Sequence, residues 1–393
     1  MPLNNSLIST IAQEATAWRH WLHQNPELSF QEQNTSQFIQ EKLQEWGYEL
    51  DRSLSNTGLV ASINVGNVQQ TIAIRADIDA LAIQEQTGLS YSSQNPGVMH
   101  ACGHDAHTAI LLGTAKYLMK TQNFYGRVLL IFQAAEEGGG KPNAYGSGAQ
   151  ELVTNGLFDK YQINSIFTLH NVPKLALNMI SVKKGPLLAS QTHFEIILQG
   201  KNAHVAKPEL GASVIPDVAQ ILKQIDLLKK ANSKKEFILE TTILKAGDAI
   251  NIIPSKGEIK GSIRAFQDEL TSQIKHSLEE IVQKTTSDSQ IIGRVEFVDR
   301  SPAVINNDEL VEMVLSIAKQ IKSVIQLDMS NKKFYTSDDF AHYLKHTIGC
   351  YIGLGTGTDT QVHNEKYLFD DQAIETGIEF WCTLVEKVLE NKQ

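Results

Sequence analysis

The segment His100-Ala-Cys-Gly-His-Asp-Ala-His107 gathers one thiol, three imidazoles and a carboxylate within eight positions. These are the donors that bind borderline-soft divalent metals. Cys102 and His104 flank a glycine, so a turning backbone can aim both side chains at one point. Only two further cysteines occur, Cys350 and Cys382, and neither belongs to a Cys-x-x-Cys pair. That argues against a closed thiolate site and for an open, mixed-ligand catalytic one. His100 and His107 read as outer partners of such a site.

Glu136 and Glu137 end an apolar run and precede Gly138-Gly139-Gly140. Neighbouring carboxylates on such a bend can divide labour, one binding metal and the other acting as general base toward water. His170 and His363 each come after an apolar run. Cys102, His104, Glu137, His170 and His363 together would be five protein ligands. That is too many for one open catalytic zinc and suits two metals sharing a bridging group. Asp79 is placed as an outer acid that orients an imidazole ligand. Asp77 reads equally well as a turn or helix-cap residue. Two other readings stay open: Cys102 as the nucleophile of a cysteine hydrolase, and a metal-binding chain without catalysis.

The elements that must position these residues follow from hydrophobic periodicity. Leu7, Ile8, Ile11, Ala15, Trp18 and Leu22 predict a first helix, and Phe38, Ile39, Leu43 and Trp46 a second. Apolar runs at Thr71–Arg75, Arg127–Phe132, Ser165–Leu169 and Cys350–Leu354 predict buried strands, and His107–Met119 predicts a helix. Strands alternating with helices imply an α/β fold with a largely parallel sheet. The polar clusters fall after those strands, where open α/β sheets bind their ligands. Between 188 and 297 the predicted order changes to β-α-β-β-α-β, the ferredoxin-like split unit. The expected architecture is therefore a catalytic α/β domain in two parts, 1–187 and 298–393, with an inserted α+β domain.

Bulk properties narrow the function classes. A chain of 393 residues is long enough for two cores. Its net charge of −9 argues against nucleic acid or an anionic membrane as partner. The start carries no secretory signal pattern and no apolar run is long enough to span a bilayer, so a cytoplasmic location is expected.

Motifs along most of the chain resemble the metal-dependent amidohydrolases that cleave N-acyl amino acids. They are Leu22-His-Gln-Asn-Pro-Glu-Leu28, Arg75-Ala-Asp-Ile-Asp-Ala-Leu81, Met99-His-Ala-Cys-Gly-His-Asp105 and Glu136-Glu-Gly138. Leu169-His-Asn-Val-Pro173, Asn251-Ile-Ile-Pro254, Gly261-Ser-Ile-Arg264, the 337–340 segment and His363 continue the pattern. The family includes hippurate hydrolases, aminoacylases, plant indole-acetyl-amino-acid hydrolases and N-acetyldiaminopimelate deacetylases, within the larger dinuclear metallopeptidase group. The resemblance implies two divalent metal ions on Cys102, His104, Glu137, His170 and His363, with Glu136 as general base and acid. It implies an inserted domain serving as lid and dimerisation module, and a small-molecule N-acyl amino acid as substrate. His204 then matches an oxyanion-stabilising histidine that reaches the other subunit's site in dimeric members. Asn251 and Arg264 match residues that contact the substrate carbonyl and carboxylate. The mixed donor set suits zinc or manganese, with cobalt and nickel as alternatives. The reaction expected is hydrolysis of an N-acyl-L-amino acid, in the manner of an aminoacylase or hippurate hydrolase. The alternative is an N-acetyldiaminopimelate deacetylase of lysine biosynthesis. The chain departs from the family pattern at Ala82 and Ala135, where prolines are usual, at Lys201-Asn-Ala-His204, which replaces a more Gly-rich turn, at Asp338, where a glutamate is usual, and at an insertion over 141–148 beside the site.

Overall fold

The apolar runs near 71, 127, 165 and 350 become neighbouring strands of one sheet. A computed structural model describes residues 3–138, 146–321, 324–328 and 332–390. The chain divides into two compact units. The first holds Met1–Gly185, Ile305–Lys332 and Asp338–Gln393, and the second holds Pro186–Val304 and Lys333–Ser337.

In the first unit, helices α1 (Asn5–Gln24) and α2 (Gln33–Trp46) come first. Strands β1 (Glu49–Asp51), β2 (Leu59–Val65) and β3 (Thr71–Asp77) follow, then helix α3 (His104–Thr121). Next come β4 (Gly126–Gln133), β5 (Ser165–Val172) and β6 (Met179–Val182). The sheet order is β1-β2-β4-β3-β5, then Ile348–Gly355, β6 and Ile325–Asp328. Parallel pairing joins β4 to β3, β3 to β5, and β5 to Ile348–Gly355. Antiparallel pairing adds β2 and β1 on one side and β6 on the other. Every residue of β3 is buried, so its apolar residues do not alternate with exposed polar ones, and Arg75 and Asp77 are buried along with them. Ser62 and Asn64 interrupt the corresponding run in β2, and the apolar-run criterion passes over that strand.

Helix α3 starts three residues earlier than its periodicity predicts, at His104 itself. Every residue from His104 to Ala115 is buried, so this helix is a wall of the core rather than an amphipathic surface helix. The α3 core residues Ile110 and Leu111 share one apolar cluster with Ile11 and Ala15 of α1 and with Ile374 and Ile378 of the helix Gln372–Val388.

The second unit carries a four-stranded antiparallel sheet in the order Phe237–Ala246, Lys256–Ala265, Gln191–Gln199, Ile292–Ser301. With helices Ile215–Ala231 and Asp268–Thr286 the sequence order is β-α-β-β-α-β, the ferredoxin-like arrangement. Phe194, Leu198, Ile259 and Ile263 from the sheet pack with Ile221 and Leu278 from the helices. No helix among the described residues is long and apolar enough to cross a membrane.

A buried ion cluster ties α1 to α3. Arg19 Nε donates to Asp105 Oδ2 at 2.9 Å, and the His23 ring lies 2.8 Å from the same oxygen. Burial alone would raise the Asp105 carboxyl, but Arg19 and His23 hold it far below the ordinary range. Burial opposes charging of His23, yet Asp105 and Glu85 raise it above 6.5. The Asp105 contribution is thus present above about pH 4 and fades as pH falls, and the His23 contribution is complete below about pH 6.5 and fades as pH rises. Asp105→Asn is expected to lose about 3–5 kcal/mol, because Arg19 stays buried with less compensation. Urea unfolding across pH should show a shallower acid limb in this variant than in the wild type; parallel acid limbs would refute the assignment.

Candidate metal centre and catalytic residues

The Cys-Gly-His turn works because of its glycine. Gly103 caps α3 with φ of 87°. A Cβ there would lie 2.1 Å from Asn171 Oδ1, so only glycine fits. The turn leaves Cys102 and His104 both buried and facing the strand ends. His104 Nδ1 lies 3.0 Å from the Asp79 carbonyl and 3.1 Å from Asp79 Oδ1. With its Nδ1–H donated there, Nε2 is left as a buried nitrogen without a hydrogen-bond partner. The ring of His170 follows the same logic. Its Nδ1 donates to the Asn171 carbonyl at 2.8 Å, and Nε2 lies 3.5 Å from Cys102 Sγ.

Glu137 enters from the end of β4. Its carboxylate lies 3.0 Å from His363 Nε2. Ligand atoms of Cys102, Glu137 and His363 lie within 4.8 Å of one another, and so do those of His104, Glu136 and Glu137. A further group, Asp77, His104, His107 and His170, meets the same limit, so the five expected ligands fall into overlapping groups that also take in Glu136, Asp77 and His107. These residues fit divalent metal: the donors are thiol, imidazole and carboxylate, and the far nitrogens of His104 and His170 are tied back by oxygen acceptors.

Asp79 does more than orient His104. Its Oδ2 accepts from Ser29 Oγ at 2.7 Å and from the Glu137 backbone N–H at 3.0 Å. Asp77 caps no helix. It pairs with Arg75 at 2.7 Å through one oxygen and with His107 Nδ1 at 2.6 Å through the other. Residue type and spacing assign Arg75 no role, yet its fully buried guanidinium also donates to Gln133 and Asp339, both at 2.9 Å. Asp77 and His170 lie inside their strands rather than beyond them, because the ladder continues: Asp77 pairs with Gln133 and His170 with Gly353. His107 sits between Asp77 and Asn171, and His100 is buried with both ring nitrogens unpartnered.

The Glu136–Glu137 turn is bent at Ala135, whose φ is 50°. A left-handed non-glycine residue costs about 1–2 kcal/mol. A proline ring cannot adopt that φ, and the Ala135 N–H is in use, donating to Glu32 Oε1 at 2.8 Å. The alanine that departs from the family pattern at position 135 is thus compatible with this turn, and a proline would not be. Residues 141–145 of the proposed insertion lie outside the described residues.

Charge is concentrated here. Burial, with the Asp338 and Glu137 carboxylates nearby, lifts the Glu136 carboxyl well above its ordinary range. Burial also pushes Asp339 up to about 7 against the pull of Arg75. Burial pushes the Cys102 thiol up to about 12, the reverse of what a cysteine nucleophile needs.

In the second unit, His204 and Asn251 are neighbours. His204 pairs with Ile252, and the Val205 N–H donates to the Asn251 carbonyl at 3.0 Å. His204 is exposed and its Nδ1 accepts from the Ala206 N–H at 3.1 Å, so the neutral ring carries its proton on Nε2. Arg264 donates to the Tyr335 carbonyl at 2.9 Å and to Ser337 Oγ at 3.3 Å. No ion pair holds it among the described residues.

Comparison with known proteins places the chain in a family. Residues 73–387 match the model of Peptidase family M20/M25/M40. A hippurate hydrolase of Campylobacter jejuni is 32% identical, with 94% of this chain and 95% of that protein covered. An N-acetyldiaminopimelate deacetylase of Bacillus subtilis is 31% identical over 93% of this chain and 96% of its own length. The crystal structure of a dinuclear metal binding M20 peptidase from Bacillus subtilis superposes with a TM-score of 0.85 at 30% identity, covering 98% of this chain and 99% of that one. The chain belongs to Peptidase family M20/M25/M40, and is a hydrolase of amide bonds.

If Asp79 fixes the His104 ring and the Glu137 backbone together, Asp79→Ala should weaken metal binding by about 10–100-fold. Competition with a chromophoric chelator measures this, and unchanged affinity in a folded variant would remove Asp79 from the account.

Proposed function

We propose that the protein hydrolyses the amide of N-acyl-L-amino acids, as an aminoacylase or hippurate hydrolase does. One observation carries the reading: the ligand atoms of His104, Glu136 and Glu137 lie within 4.8 Å of one another, which puts a carboxylate next to the thiol, imidazole and carboxylate donors that would hold metal. Cys102, His104, Glu137, His170 and His363 would hold two divalent ions, with zinc or manganese suiting the donors. When bound, the ions would polarise the scissile carbonyl and acidify water.

The chain's own residues do the rest. Glu136 takes a proton from the attacking water and returns it to the leaving amine, a task that the raised affinity of its carboxyl for protons favours. His204, with its proton on Nε2, and Asn251 supply hydrogen bonds to the carbonyl oxygen as negative charge develops. Arg264 receives the carboxylate of the amino acid. Its guanidinium is half-buried and has no carboxylate partner among the described residues, the condition in which an anionic ligand gains most.

The test is hydrolysis of N-acetyl- and N-benzoyl-amino acids and of N-acetyldiaminopimelate, with chelator and with single metals restored. Turnover of several N-acyl amino acids, abolished by chelation and restored by metal, is expected. Turnover of N-acetyldiaminopimelate alone would favour the deacetylase alternative, which the Bacillus subtilis relative supports. No turnover with any metal would favour a non-catalytic metal-binding role.

Two variants test individual roles. Glu136→Gln should keep its metal and lose about 10²–10⁴-fold in kcat; a metal-replete variant with the wild-type rate would end the proton-carrier assignment. Arg264→Ala should raise KM by about 10–100-fold, from the loss of charge-assisted hydrogen bonds. The same variant should handle an N-acyl amine lacking a carboxylate as the wild type does.

A further inference from the structure

Glu32 is fully buried and takes part in none of the steps above. It occupies the residue before α2, where a side chain ordinarily caps the helix, yet it makes no capping bond. Glu27 does that work instead, accepting from the backbone N–H of Asn34 at 3.1 Å and of Thr35 at 2.9 Å. Glu32 is thereby free to turn away from its own helix. One oxygen accepts from the Ala135 N–H at 2.8 Å and the other from Thr57 Oγ1 at 2.6 Å. Burial and the nearby Asp79 carboxylate push it up to about 7, so this placement is costly and the local fold gains no helix cap from it.

The residue it holds is the left-handed Ala135, immediately before Glu136 and Glu137. Two residues on, Asp79 holds the Glu137 N–H. The turn is therefore gripped at alternate amides by two buried carboxylates, one of which has no other function at the site. We propose that Glu32 is a positioning residue for the reaction. Its oxygen fixes the Ala135 amide in the left-handed conformation and so sets the directions in which the Glu136 and Glu137 side chains leave β4. The proposal rests on the reading of Glu136 as proton carrier and Glu137 as metal ligand.

The mechanism is reach and acceptance, not charge, and the variants separate these. Glu32→Gln keeps a carbonyl oxygen at the same length and should turn over close to the wild-type rate. Glu32→Asp keeps the charge but falls one methylene short of Ala135. It and Glu32→Ala should lose about 10–100-fold in kcat at saturating metal, with KM nearly unchanged. Ala135→Gly in the Glu32→Ala background should recover part of the loss, because glycine adopts that backbone conformation without help. Folding is followed by circular dichroism and thermal melting; if Glu32→Ala does not fold, the contrast between Gln and Asp decides. Wild-type kcat in a folded Glu32→Asp, or a Gln variant as impaired as Asp, would overturn the proposal. Glu136→Gln in the same assay keeps the two readings apart. If it is inactive the site reading stands and Glu32 is judged alone; if it is fully active the site reading fails whatever the Glu32 variants do.

Discussion

The site depends on the Asp79 carboxylate. Three segments far apart in sequence converge on it: Ser29 after α1, His104 at the start of α3, and Glu137 at the end of β4. Burial would raise this acid, but His104 and Ser29 hold it below its usual range. An ionised acceptor in a low-dielectric setting forms strong, short-range bonds that tolerate little misplacement. A single side chain thus sets the ring of one ligand-type residue and the backbone of another.

Beneath it lies a second layer of buried charge. Arg75 spends its donors on Gln133, Asp77 and Asp339, and Asp77 passes the contact to His107. Each of these ions would be expensive alone, and the pairing makes their burial tolerable without making it a large source of stability. The apolar core between sheet and helices carries that load. What the ion layer contributes is direction, holding the carboxyl ends of β3, β4 and β5 and their side chains in one arrangement. The parallel register puts Asp77 level with Gln133, and Arg75 level with Thr168, two residues before His170.

The sequence made the side chains around the site legible because their types coincide so rarely. A thiol, an imidazole and a glycine in three positions, then paired glutamates before glycines, leave few other uses. The alternating elements gave the α/β class, and the changed rhythm after 188 gave the ferredoxin-like order. Backbone partners left no such trace. Nothing in the string marks Glu32 as the acceptor for Ala135, since the two lie 103 positions apart. Arg75 and Asp339 are 264 positions apart, and only the sheet topology brings them together. Nor does anything mark Ala135 as left-handed, since that conformation is imposed by tertiary hydrogen bonds against its own preference.

The most direct test of the account is a crystal of the metal-loaded protein, with anomalous scattering recorded at the edge of the bound metal. The account predicts two peaks per chain, coordinated by Cys102, His104, Glu137, His170 and His363, with Glu136 adjacent and unligated. A single ion, or one held by Glu136 together with Asp338 and Asp339, would contradict it.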